Sequence, residues 1–161
     1  MMVEVYLVNY CDEDLGQWLS LPASNTEIRK TIDSICPNGS DKFIIKEYKS
    51  ALDVTIPKDN YVYRLNDIVS KLNKISTSEE IIAFIEAYSS NVEEILEKMQ
   101  RGRYKFYLHK SLTELAYEFR KKNKKYKHCT VKDVLVDLKR KGYVEVISGV
   151  IYIYGYWVVK K

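Results

Sequence analysis

Apolar positions along the 161-residue chain change their period several times, and each change marks an element. The opening run Val3-Glu4-Val5-Tyr6-Leu7-Val8 is β-branched and aromatic with partial alternation, which predicts a strand. The acidic stretch Cys11-Asp12-Glu13-Asp14-Leu15-Gly16 reads as a loop. Ser24 stands three residues before Glu27, the spacing of a capping box. Ile28, Ile32 and Ile35 then share one helix face until Pro37-Asn38-Gly39 ends it. Phe43-Ile44-Ile45-Lys46-Glu47-Tyr48 predicts another strand, and Pro57-Lys58-Asp59-Asn60 a boundary.

The pattern then becomes helical. Leu65, Ile68, Val69 and Leu72 define one amphipathic helix. Thr77 with Glu80 opens a second, carrying Ile81, Ile82, Phe84, Ile85 and Tyr88, and Asn91 with Glu94 caps a third, carrying Val92, Ile95, Leu96 and Met99. Short connections between them predict a small antiparallel bundle. After Arg101-Gly102-Arg103 an aromatic strand, 104–108, precedes a helix capped by Ser111 and Glu114 with Leu112, Leu115, Ala116 and Phe119 inward. A last helix presents Val131, Val134, Leu135 and Leu138 on one face and stops at Gly142. Two apolar runs flank Ser148-Gly149, a two-residue hairpin signal. The expected fold is α+β, an elongated chain of three small units. These are a strand/helix unit over 1–58, a helical unit over 59–100 and an α/β unit over 101–161. Units of 40 to 60 residues bury little core alone, so neighbours should pack end to end, and a homodimer is expected.

Charge changes this picture more than composition does. The net charge is only +4. Residues 1–60 nevertheless carry 6 basic and 10 acidic side chains, and residues 61–100 carry 4 and 7. Residues 101–161 carry 16 and 5, a net of +11. Such asymmetry bears on partners, not on fold. Six of the eight residues over 120–127 are basic: Arg120, Lys121, Lys122, Lys124, Lys125 and Lys127. Lys132, Lys139, Arg140 and Lys141 follow closely, and the sequence suggests a positive field that little nearby cancels.

The longest nearly apolar stretch, 150–159, is half the roughly 20 residues a spanning helix needs. No basic segment followed by a long apolar core opens the chain, and three widely spaced cysteines suit a reducing, cytoplasmic setting. The expectation is therefore no membrane partner, no secreted mini-protein and no coiled coil. No glycine-rich phosphate loop appears. His128-Cys129 has no second ligand pair at zinc spacing, and no carboxylate pair is singled out for acid–base work. No catalytic activity, metal or cofactor is expected.

The order of segments resembles a known family. The first strand, Gly16-Gln17-Trp18-Leu19-Ser20-Leu21-Pro22, the capped helix and Phe43-Ile44-Ile45-Lys46-Glu47-Tyr48 together resemble the opening domain of ArdA-type antirestriction proteins. Tyr63-Arg64-Leu65-Asn66-Asp67-Ile68 is similar to that family's central domain, and residues 102–119 to the start of its third. The resemblance implies an elongated, acidic, dimeric mimic of bent DNA that occupies the nucleic-acid groove of a type I restriction–modification enzyme. Duplex DNA presents a charge about every 1.7 Å of axis. Helical carboxylates at i and i+4 lie about 6 Å apart along the axis. Under the resemblance the mimic surface comprises Asp12, Glu13, Asp14, Asp33, Asp41, Glu79, Glu80, Glu86, Glu93, Glu94 and Glu97. The family is acidic throughout, whereas this chain is basic over its last third.

Two functions follow. One is an inhibitor of a host defence complex, a restriction–modification enzyme or a CRISPR complex, acting as an acidic decoy. The other is a winged-helix-like DNA- or RNA-binding regulator, since two helices followed by a hairpin have that order. There the ten basic residues named above would contact phosphates first and bases second. Eight of the 14 tyrosines also lie within 101–161, and exposed ones could stack on unpaired bases.

Overall fold

A computed structural model describes residues 1–39, 42–57, 61–101, 105–108, 111–142, 144–147 and 150–153. Asp41, the boundary positions 58–60, Gly102, Tyr104 and the Ser148-Gly149 turn lie outside the described residues. The fold is α+β, with six α-helices and two three-stranded antiparallel sheets among the described residues. It divides into two compact units, Met1–Glu97 and Lys98–Lys161.

In Met1–Glu97, strand β1 (Val3–Asn9) lies between β2 (Gly16–Leu21) and β3 (Phe43–Ser50), antiparallel to both. Its central place explains why Val3, Val5, Leu7 and Val8 are all fully buried. Strand β2 is absent from the sequence pattern. Only Leu21 is fully buried in it, so no alternation announces it, and its strand character comes from pairing, for example Trp18 against Tyr6. A Cβ at Gly16 would stand 2.5 Å from the Tyr6 hydroxyl oxygen and 2.9 Å from Val8 Cγ1, so a side chain there forces those neighbours to shift. Helix α1 (Asn25–Ile35) starts at the capping box of Ser24 and Glu27 and buries Ile28, Ile32 and Ile35. The amide of buried Asn9 donates to the Ile35 carbonyl at 3.0 Å, tying the end of β1 to the end of α1.

Helices α2 (Val62–Ile75), α3 (Ser78–Ala87) and α4 (Val92–Arg101) form where the apolar pattern places them. Of the face expected for α3, Ile81 and Phe84 are buried and Ile85 is half-buried, whereas Ile82 is exposed and Tyr88, also exposed, stands just past the helix end. The division expected near residue 58 falls inside the first unit. Asn66 of α2 accepts from the Ala23 N–H at 2.8 Å and donates to the Ala23 carbonyl at 3.0 Å. Thr55 bridges to Asn91, with its N–H donating to the Ser90 carbonyl and its carbonyl accepting from Val92. Such bonds join the helices to the sheet segment.

In Lys98–Lys161, strand β4 (Lys105–Leu108) is followed by α5 (Leu112–Lys122), a 3₁₀ turn (Lys124–Tyr126) and α6 (Val131–Arg140). Strands β5 (Val144–Ile147) and β6 (Val150–Ile153) close the unit. The sheet order is β4-β6-β5, so the last strand inserts between the first and the second. Leu115, Ala116, Phe119, Tyr126, Val134 and Leu138 form the core between α5 and α6. Gly142, with φ +65°, follows α6 in the left-handed region that glycine tolerates.

Candidate nucleic-acid interface

Helix α5 owes its start to a capping box, Ser111 accepting from the Glu114 N–H while Glu114 accepts from the Ser111 N–H. Its buried face is Leu115, Ala116 and Phe119, which leaves Tyr117 and Lys121 pointing outward. The helix runs to Lys122, so Arg120, Lys121 and Lys122 occupy its last turn instead of a loop. Cations there complement the negative end of the helix dipole. Asn123 ends α5 and starts the 3₁₀ turn, its side chain accepting from the Lys125 N–H at 3.2 Å.

Within the lysine-rich run, Tyr126 is buried to 2 % exposure. Its hydroxyl donates to the Asp137 carboxylate of α6 at 2.7 Å. Burial first, and then that hydrogen bond, push the Tyr126 hydroxyl from an ordinary pKa of 10.0 up to about 12. Asp137 also receives Lys141 at 2.9 Å, Arg140 at 3.2 Å and Lys125 at 3.7 Å. The Lys141 and Tyr126 hydrogen bonds hold its carboxyl well below the usual carboxylate range. The Lys141 ammonium is the largest cause pushing the Lys125 ammonium down. The field suggested by the sequence is thus partly cancelled, because one carboxylate gathers three cations that lie 12 residues upstream and three and four residues downstream of it.

The remaining cations sit elsewhere on the unit. Arg120, Lys121, Lys122, Lys124 and Lys127 line a surface concavity of about 600 Å³ together with Tyr117 and Asn123, and none of these lining residues is acidic. Lys122 approaches Glu118 at 3.9 Å. The Arg120 guanidinium stands over the Tyr117 ring, 5.2 Å from its centre. Lys132 and Lys139 are exposed on α6, whose N-terminus carries a second capping box of Thr130 and Asp133. The Thr130 hydroxyl is the main cause lowering the Asp133 pKa.

The acidic candidates among the described residues fall on the β1–β2 loop, α1, α3 and α4. Asp12 accepts from the Asp14 N–H within the β1–β2 loop, and Glu13 pairs with Lys46 at 2.5 Å. Asp33 pairs with Arg29 at 2.9 Å on α1. Glu80 is spent on the cap of α3, and Glu93 on an ion pair with Arg64. Asp14, Glu79, Glu86, Glu94 and Glu97 are exposed. His128 is exposed and Cys129 half-buried, and among the described residues no group of three or more His, Cys, Asp or Glu could hold a metal ion. No helix among the described residues is long and apolar enough to cross a membrane.

Three features of the site escaped the sequence: the Thr130–Asp133 cap, the buried Tyr126 and the identity of the cations that Asp137, expected to pair with a few of them, gathers. The first carries Asp where the capping-box pattern looks for Glu or Gln. The other two depend on packing 11 residues apart. Neither protein-family models nor curated proteins offer a match to this chain.

Proposed function

We propose that Lys98–Lys161 is a winged-helix-like nucleic-acid-binding module. The connectivity carries this reading. A strand, two helices and a hairpin whose final strand inserts between the other two is the order in which such modules present a helix and a wing. The α5–α6 core supports it by fixing the two helices, and the net +11 of residues 101–161 supplies the phosphate-seeking charge. Fold alone does not assign function, so the charge is the necessary second observation.

The test is a salt titration of the full chain against mixed-sequence duplex DNA. Affinity carried by four phosphate contacts falls with a log–log slope of about −3.6. Replacing Lys121, Lys122, Lys124 and Lys125 with alanine should flatten that slope, Lys125 contributing least because Asp137 holds it. Absence of binding to any nucleic acid at about 20 mM salt overturns the reading, since electrostatic affinity is greatest there.

A second reading, an antirestriction-type decoy, is supported by the exposure of Asp12, Asp14, Glu79, Glu86, Glu94 and Glu97 on Met1–Glu97. Its partner would be a restriction–modification or CRISPR complex. Charge reversal at Glu79, Glu86, Glu94 and Glu97 together is expected to weaken inhibition of such a nuclease by more than any single change. Glu80 and Glu93 are left intact, because reversing them would damage a helix cap and an ion pair. Full inhibition by the folded four-site variant rejects the decoy.

A further inference from the structure

We propose that the concavity at the end of α5 takes single-stranded nucleic acid, with Tyr117 stacking on an unpaired base. Arg120, Lys121, Lys124 and Lys127 hold the flanking phosphates. This inference rests on the module reading above and names its ligand and its contact face.

The outer face of α6 offers little for reading bases. Asp133 is committed to the cap, and Arg140 and Lys141 are drawn to Asp137. Val136, 59 % exposed, is apolar, which leaves Lys132 and Lys139 as the available cations. The end of α5 is different. Its open concavity of about 600 Å³ is lined by five cations, with no carboxylate among the lining residues. The negative end of the helix dipole, about half a charge, and the Glu118 carboxylate beside Lys122 offset only part of this positive charge.

Tyr117 decides between strand types. Its side chain is aromatic, 56 % exposed and steadied by the Arg120 guanidinium over the ring. A half-exposed aromatic ring beside cations matches the stacking platform of single-strand binders. In a duplex the base faces are already stacked on one another, so the ring gains nothing there. The Asp137 cluster complements this arrangement, because Tyr126 pins the turn that carries Lys124 and Lys127 to α6.

The test uses the full chain and two fluorescent probes, a 20-nucleotide oligothymidylate and a 20-base-pair mixed-sequence duplex, read by anisotropy at low salt. The oligothymidylate should bind more tightly, with a log–log salt slope of about −2.8 for four contacts. Tyr117→Ala should weaken it about tenfold and leave the duplex within twofold, while Tyr117→Phe keeps the affinity. Lys121, Lys124 and Lys127 replaced together with alanine should flatten the slope. Duplex preference, or oligothymidylate affinity unchanged by Tyr117→Ala, overturns this inference while leaving the module reading intact. Binding of neither probe overturns both.

Discussion

Leu138→Ala is expected to destabilise Lys98–Lys161 by about 2–5 kcal/mol and to remove nucleic-acid binding with it. Leu138 is fully buried among Leu115, Ala116, Phe119, Tyr126 and Val134, so the lost methyl groups leave a cavity between α5 and α6. A unit of this size holds only about 3–10 kcal/mol in total, at 0.05–0.15 kcal/mol per residue. The substitution therefore consumes a large fraction of it. Urea titration followed by circular dichroism, with anisotropy on the same samples, measures both effects. A midpoint matching the parent protein would show that α5 and α6 do not share a tight core.

Tyr126→Phe should cost about 1.5 kcal/mol near neutral pH, the lower end for a hydrogen bond to a charged group. The lower end applies because the Asp137 side chain keeps 19 % of its surface in solvent. The pH dependence is more diagnostic. The fold holds the Tyr126 proton up to about pH 12, whereas the unfolded chain releases it near pH 10.0. Its contribution is therefore complete below pH 10 and is lost as pH rises toward 12. The stability gap between parent and variant should narrow across that interval, lysine titration being common to both. On the acid side the sign reverses. The depressed Asp137 carboxyl contributes stability above the ordinary Asp pKa of about 3.9, and this fades as pH falls below it. A gap constant from pH 8 to 12 would mean that the Tyr126 hydroxyl is not committed to Asp137.

Local signals were legible because their partners lie within one helical turn. Ser24 with Glu27, Thr77 with Glu80 and Ser111 with Glu114 all form the capping boxes that their three-residue spacing announces. The apolar faces of α1, α2, α5 and α6 were legible for the same reason, as was the hairpin of β5 and β6. Among the site residues, the basic character of 120–127 was plain from composition alone. How those cations divide between ion pairs and open surface was not.

What the sequence determined by itself is the set of elements with a period of their own, the α+β class, and the split of charge between an acidic front and a basic end. Tertiary structure decided the rest, wherever an element's character depends on a distant partner. Strand β2 exists because β1 offers it a hydrogen-bonding edge, not because Gly16–Leu21 alternates. The segments on either side of residue 58 share one unit because Asn66 reaches Ala23, 43 positions away. Asp137 anchors a tyrosine and three cations because α6 packs beside the lysine-rich turn. Spacing along the chain reports only what one turn or one hairpin can bring together, and long-range packing sets everything beyond that reach.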